Sequence, residues 1–318
     1  MKKHPLCLAI SLLGMTFAAP AMAATPLNVL GAGTLAVPFK EINIAFQKKY
    51  PDIEVRAQFG GSVKMVKQVT ELHQPADVVA VADYSVIPKY LFGAGGKQRY
   101  TDWYLGFAGN AITFVYTPKS KFADQFDGSN WYQYLAKPGV QIGRSNPDTD
   151  PSGYQTVQML NLANSFYHEP SLEQKVLANA PRSNIRDTET SLISALQLGQ
   201  IDYLAIYRSD ALQHGFRHID LPDQINLSNP KYASAYAQGV AHTKNGSLTG
   251  KPIIYALTIL NNAEHKDLAE KYVQFILGPE GQAVFKKDGF VQINPAIAKN
   301  PAAMPQSLQK IAAPWPGA

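Results

Sequence analysis

LNVLGAGT, residues 27–34, is a short apolar run that ends on Gly31-Ala32-Gly33-Thr34. The segment after it, LAVPFKEINIAFQKKYP (35–51), carries Val37, Ile42, Ile44, Phe46 and Tyr50, a broad apolar set suited to a packed helix. Strand, tight turn and helix in that order aim free backbone N–H groups and the positive end of a helix dipole at one point, which suits an anion. A glycine-rich turn between strand and helix also arises from turn geometry alone. A second copy strengthens the functional reading: IEVRAQF (53–59), then Gly60-Gly61-Ser62, then VKMVKQVTEL (63–72). Both turns carry a hydroxyl, Thr34 in the first and Ser62 in the second.

The pattern continues outward. ADVVAVAD (76–83) is a continuous apolar run, as expected of a strand buried on both faces of a parallel sheet. The order strand-helix-strand-helix-strand is doubly wound, and ligands in such sheets sit outside the carboxyl ends of the strands. Asp83, Tyr84 and Ser85 lie beside that same edge. NAITFVYTP (110–118) reads as a strand crossing into a second lobe. There VQIGRSNPDTDPSGYQTVQMLNLANSFY (140–167) gives strand, polar loop and helix, with Asp150 as the cap and Pro151 at an early helical position. Further helices follow in SLEQKVLANAP (171–181) and DTETSLISALQLGQ (187–200), the latter with Thr188 or Glu189 near its start and Gly199 closing it. IDYLAIYRSDALQHGF (201–216) is a strand and a short helix. KPIIYALTIL (251–260) is a strand that runs back towards the first lobe, and AEHKDLAEKYVQFILGPEGQAVFKKDGF (263–290) is a helix pair split at Gly278-Pro279. The Pro/Ala-rich tail, 301–318, reads as irregular surface packing. The expected lobes are 24–111 with 260–318, and 112–259, joined by two crossings that make a hinge.

The chain opens MKKHPLCLAISLLGMTFAAPAMA, with a positive n-region, an apolar core and an A-x-A cleavage site, so 1–23 reads as a secretory signal peptide. The single cysteine, Cys7, lies in it. The mature chain then offers no disulfides, thiolate chemistry or cysteine-ligated metals. Loss of Lys2 and Lys3 lowers the formal charge from 29 − 24 = +5 to 27 − 24 = +3, with charges scattered rather than gathered into stripes, so no nucleic-acid partner is expected. Nearly all of the 318 residues remain, more than one core usually holds, which favours two lobes.

GAGTLAVPF, KKYP, GGSVKMVKQVTEL, ADVVAVADYSVIP, GRSNPDTDPSGYQT, IDYLAIYRSDALQHG, LPDQINLS, GKPIIYALTI and GPEGQAVFKKDGF together resemble the periplasmic tungstate/molybdate-binding proteins of ABC importers. The resemblance spans essentially the whole mature chain. It implies a type II periplasmic-binding-protein fold, two doubly wound α/β lobes joined by a two-segment hinge, with an oxyanion held between them. It implies a periplasmic monomer that works with separate permease and ATPase subunits, with no cofactor and no catalysis. Carried over position by position, it implies ligand contacts from Thr34, Ser62, Ser152 (a backbone amide), Glu189 (another amide) and Tyr207 (its hydroxyl). Each has a plainer reading, since hydroxyls in turns and caps often bond their own backbone. Two carboxylates join the metal in the archaeal tungstate binders. Asp150 stands at the place of the first, and Ile206, which cannot coordinate, at the second. The resemblance therefore implies a tetrahedral oxyanion held by hydrogen bonds, with Asp150 either a helix cap or a single added metal contact.

Tungstate and molybdate are fully deprotonated dianions at neutral pH, so hydroxyls, amides and helix N-termini satisfy them without a formal counter-charge. A protonated phosphate needs an acceptor, which Asp150 can supply, and sulfate differs chiefly in size, so both remain rival cargoes. A secreted hydrolase is the rival from another class, but there is no G-x-S-x-G or H-E-x-x-H. His214 and His218 form the one metal-like pair. Tyr84, Tyr154, Tyr203 and Tyr207 make a ferric site conceivable. Arg144 and Arg208 are the only arginines in the candidate loops for an organic acid, and an ion pair is the simpler role for each.

Overall fold

The computed structural model describes residues 24–96 and 98–316, so the reading of 1–23 as a signal peptide lies outside the described residues. The two strand-turn-helix copies form as expected: β1 (Thr25–Ala32) leads into α1 (Ala36–Lys49), and β2 (Ile53–Gly60) into α2 (Ser62–Thr70). β3 (Val78–Val81), fully buried along its length, and α3 (Val86–Leu91) complete the unit. The face that α1 buries holds Ile42 and Phe46 as expected, but not Val37 and Ile44. Leu35, Phe39, Ile42 and Phe46, spaced four, three and four apart, are fully buried, while Val37 and Ile44 are 42% and 62% exposed. At 100° per residue, positions 37 and 44 share a direction with each other and point nearly opposite to Leu35. Each fully buried side chain of the stripe contributes roughly 1.5–3 kcal/mol.

β4 (Tyr104–Gly109) then ends at the crossing, and β5 (Ile112–Tyr116) starts the second lobe. That lobe continues with α4 (Trp131–Leu135), β6 (Ile142–Ser145), α5 (Pro151–Phe166), α6 (Leu172–Ala178), β7 (Ile185–Arg186), α7 (Glu189–Gln197), β8 (Tyr203–Tyr207), α8 (Arg208–Gln213) and β9 (Arg217–His218). After α9 (Ala233–Tyr236) and the hairpin of β10 (Val240–Thr243) and β11 (Gly246–Thr249), the chain returns through β12 (Ile254–Ile259). α10 (Lys266–Leu277) and α11 (Pro279–Lys287) meet at Gly278, and β13 (Val291–Lys299), α12 (Gln306–Gln309) and β14 (Ala312–Pro314) close the chain.

The first sheet has seven strands in the order β14-β13-β4-β12-β3-β1-β2, and the second five, β7-β6-β8-β5-β9. In the first, β1 runs parallel to β2 and β3, whereas β12 is antiparallel to both β3 and β4. In the second, β6 and β8 are parallel and β5 is antiparallel to β8. The shared logic is that β12 and β5 are the strands arriving from the other lobe. Each enters at the cleft, where the parallel strands end, and so runs away from it. β12 pairs throughout with the first sheet, so Ile254–Ile259 belongs there and the return crossing precedes residue 254, not 260. Both crossings bond to one third segment, Ile112 N–H to Asn226 O at 3.0 Å and Ile253 N–H to Leu227 O at 2.8 Å.

The tail is more ordered than expected. β14 pairs in parallel with β13, and Trp315 packs its ring 4.8 Å from that of Tyr84 and 5.2 Å from that of Tyr104. Among the described residues, no helix is long and apolar enough to cross a membrane.

Candidate functional site

Because parallel strands of both sheets end at the cleft, the segments after them converge. Thr34 follows β1, Ser62 follows β2, Asp83 follows β3, Asn110 follows β4, Asp150 and Ser152 follow β6, Glu189 follows β7, and Tyr207 with Asp210 closes β8. All are buried. The lobes meet closely here. A Cβ on Gly61 would lie 2.5 Å from Thr149 O, a backbone atom of the other lobe, so glycine is required by that approach. Lys89 Nζ donates to Asn245 O at 2.8 Å along the rim.

Five of the expected positions make hydrogen bonds at this edge, in separate pairs. Ala82 N–H donates to Ser62 Oγ at 2.9 Å, and Tyr255 OH donates to Thr34 Oγ1 at 3.1 Å. Tyr207 OH donates to Gln155 Oε1 at 2.7 Å. Asp150 caps α5, accepting from Ser152 N–H at 2.8 Å, which is the cap alternative for this side chain. The Ser152 hydroxyl is fully buried beside the Asp150 carboxyl. Glu189 presents its carboxyl rather than only its amide: a Cβ on Gly33 would lie 2.6 Å from Glu189 Oε2, so the side chain reaches across to the first glycine turn.

Sequence reasoning missed four contributors. Asn110 Nδ2 donates to Ser209 Oγ at 2.8 Å and to Tyr255 OH at 3.1 Å, tying both crossings to the first turn. Asp210 is buried with Oδ2 unpartnered. In RSDAL an aspartate in the first helical turn reads as a dipole partner, and a tyrosine in IIYALTI as core, so no local signal separated these two residues from their ordinary roles.

The carboxyls differ sharply in state. Burial, with a smaller push from the field of Asp187, raises Asp150 to about 6, against the N–H and the hydroxyl of Ser152. Burial, then the field of Asp210 and of Asp150, pushes Glu189 well above the usual carboxylate range, with Thr34 pulling the other way. Burial and the field of Asp150 do the same to Asp210. Two unit charges a few ångströms apart repel by about 4 kcal/mol at an effective dielectric of 20, so joint ionisation is strongly opposed. Among the described residues, no lysine, arginine or histidine forms an ion pair with any of the three. Asp83 is the exception at this edge. Burial alone raises it, but Lys251 Nζ at 3.1 Å, the Ser85 N–H and hydroxyl, and the Tyr154 OH at 2.7 Å together hold it below its ordinary value.

Other expected groups are not assembled. Ile206 packs in the core with Leu192, Ile193 and Leu204, on the face of β8 opposite Tyr207. Tyr203 lies at the far end of β8 against Phe126, and Tyr84 packs on Tyr104 and Trp315, so of the four candidate ferric tyrosines only Tyr154 and Tyr207 are neighbours. Arg208 pairs with Asp220 at 3.5 Å, and Arg144 on β6 has Nε and Nη1 buried without partners. His214 follows α8 and His218 lies on β9, so they share no helix face. Among the described residues, no group of three or more His, Cys, Asp or Glu is placed to hold a metal ion.

Residues 27–291 match the model of a family described as bacterial extracellular solute-binding proteins. An uncharacterised solute-binding protein of Petrotoga mobilis is 40% identical over 287 residues, covering 88% of each chain. The molybdate/tungstate-binding protein WtpA of Thermococcus kodakarensis is 36% identical over 302 residues, covering 86% of this chain and 84% of that one. Among solved structures, the periplasmic molybdate-binding protein of Azotobacter vinelandii superposes with a TM-score of 0.62 at 19% identity, over 84% of this chain and 99% of that chain. The fold is that of the type II periplasmic binding proteins, and the chain belongs to the bacterial extracellular solute-binding protein family.

Proposed function

We propose that this protein captures tungstate or molybdate between its lobes and delivers it to the permease and ATPase subunits of an ABC importer. The observation that carries the reading is the convergence at the lobe interface of buried groups from both lobes, Thr34 and Ser62 from one and Ser152, Glu189 and Tyr207 from the other. Hydroxyls and backbone amides offer donors to an acceptor-only anion. The names of the relatives supply the identity of the anion.

Thr34 and Ser62 belong to one lobe, Ser152, Glu189 and Tyr207 to the other. An anion that collects donors from both gains affinity only in the closed form, and so shifts the open/closed population towards closed. The closed surface is what the membrane subunits recognise. The protein acts as a periplasmic monomer, carries cargo rather than a cofactor, and catalyses nothing. Ile206 sits in the core and offers the anion nothing; the carboxyls beside Asp150 are those of Glu189 and Asp210.

Isothermal titration of the protein from Ala24 onward with tungstate, molybdate, sulfate and phosphate tests this. Tight binding of the first two alone is the expected result. Preferential binding of sulfate or phosphate, or of none of the four, overturns the cargo assignment.

A further inference from the structure

Two tethers join the lobes beside the donor ring, and both end on the same stretch of the second lobe. The first is Tyr154, on α5 just after Ser152. Its buried hydroxyl donates to Asp83 Oδ2 of the first lobe at 2.7 Å. Asp83 Oδ1 accepts from the Ser85 N–H at 2.8 Å and the Ser85 hydroxyl at 2.9 Å, and Lys251 Nζ, from the returning crossing, lies 3.1 Å from it. The second tether runs through the tip of the β10-β11 hairpin. Lys89 Nζ on α3 donates to Asn245 O at 2.8 Å, while Asn245 Nδ2 donates to Asp148 O and Lys244 N–H to Asp148 Oδ1, each at 2.8 Å. Asp148 and Tyr154 bracket Asp150 and Ser152, so both tethers bear on 148–154, the segment that brings the second lobe to the cleft. Between them Val63, Val86 and Tyr90 of the first lobe face Pro147 and Leu248 of the second across a gap of about 10 Å³, at most the room of one water.

We propose that Tyr154 is a positioning residue for the cargo: its bond to Asp83 across the cleft holds the lobes closed and so sets how slowly the anion leaves, with Lys89 at the hairpin tip as a weaker second tether. The single hydroxyl proton of Tyr154 is committed to Asp83, so Tyr154 acts on the anion through closure and not by contact. A hydrogen bond to a buried carboxylate paired with a lysine is of the strong, charge-assisted kind. Lys89 is exposed, and a bond from an exposed lysine contributes little. An anion that enters the open cleft meets neither tether formed, whereas an anion that leaves must first break both. The tethers therefore slow release and leave capture nearly untouched. This inference rests on the oxyanion reading above and adds that residence time is set by residues outside the donor ring.

The test is stopped-flow measurement of tungstate association and dissociation on the wild type, Tyr154→Phe, Lys89→Met, Asp83→Asn and the Tyr154→Phe, Asp83→Asn double variant. Tyr154→Phe removes one hydroxyl and leaves Asp83 with Lys251 and Ser85. Its dissociation rate is expected to rise at least about tenfold, with the association rate within about twofold of wild type. Lys89→Met is expected to raise dissociation by about twofold to threefold. In the Asp83→Asn background the loss of the Tyr154 hydroxyl is expected to matter less, because a neutral acceptor holds that hydroxyl more weakly. A packing role for Tyr154 does not produce that difference between backgrounds. Unchanged dissociation in Tyr154→Phe, or the same effect in both backgrounds, overturns the inference and leaves the cargo assignment intact. If Asp83→Asn does not fold, the split between association and dissociation in Tyr154→Phe decides: equal losses in both rates overturn the inference. Absence of tungstate binding by the wild type overturns the cargo assignment and the inference with it.

Discussion

Asp83 and Asp210 are buried to the same degree, 2% and 3% exposed, and both follow strands that end at the interlobe cleft. Burial raises both carboxyls, yet the net shift of Asp83 is downward and that of Asp210 upward. What differs is the company. Asp83 has Lys251, two donors from Ser85 and the hydroxyl of Tyr154, which reaches it from the other lobe. Asp210 has two other carboxyls and an unpartnered oxygen. The first cluster is complete and works as a tie between lobes. The second is incomplete, and completion by a ligand is the use the cleft offers it.

The largest test of the contrast is to make the first cluster resemble the second. Lys251→Met strands the Asp83 charge, and removing one partner of a buried pair typically costs about 3–5 kcal/mol. Urea denaturation at neutral pH is expected to show that loss, with most of it recovered in the Lys251→Met, Asp83→Asn double variant. Unchanged stability in the single variant contradicts an ionised Asp83.

Next in size is an obstruction of closure. In Gly61→Val the new side chain meets Thr149 O, so the lobes cannot reach their observed approach. Oxyanion affinity is expected to fall at least about a hundredfold, about 2.7 kcal/mol, while circular dichroism of the unliganded protein stays unchanged. Retained affinity means that the ligand does not need this closed form.

The two clusters also predict opposite pH dependence of stability in the unliganded protein. Asp83 has a lowered folded value, so its contribution is present above its ordinary value near 3.8 and is lost as pH falls through the folded one. Asp150 is raised from 3.8 to about 6, so the native state holds its proton longer than the unfolded chain, and stability declines as pH rises through that window. Glu189 and Asp210, raised further, extend the decline above it. Thermal melts across pH are expected to show a maximum in the acid range, and Asp83→Asn is expected to remove its acid limb. A profile that rises monotonically to neutral pH contradicts the raised values of these three carboxyls.

The smallest expected effect sharpens the second cluster. Asp210→Asn removes a group that must ionise against burial, so the unliganded protein gains stability above neutral pH, by about 1.4 kcal/mol for each tenfold by which folding tightens the hold of Asp210 on its proton. Thermal melts of the variant at alkaline pH check it, and a loss of stability there means that Asp210 has an ionised partner.

Much of the fold was legible because it rests on repeated local grammar. The glycine turns after β1 and β2, Asp150 with Pro151 opening α5, Thr188 capping α7 and the Gly278 joint are all short-range features. Errors arose where a longer-range partner decides. Phe39 displaced Val37 and Ile44 from the buried face of α1 because α11 and β2 supply its aromatic neighbours Phe285 and Phe59. The tail became β14 because β13 offers it an open edge. Of the site, the hydroxyls in turns were visible, since turn and hydroxyl coincide in sequence. Asp210, Asn110 and Tyr255 were not, since each acquires its role only when β12 returns beside β3 and the second lobe folds over it.

The most direct test of the central claim is to locate the anion itself. Crystals grown with tungstate and measured at a tungsten absorption edge are predicted to give one anomalous peak between the lobes, within hydrogen-bond reach of the oxygens of Thr34, Ser62, Ser152 and Tyr207. A peak elsewhere, or none in crystals soaked to saturation, contradicts the account.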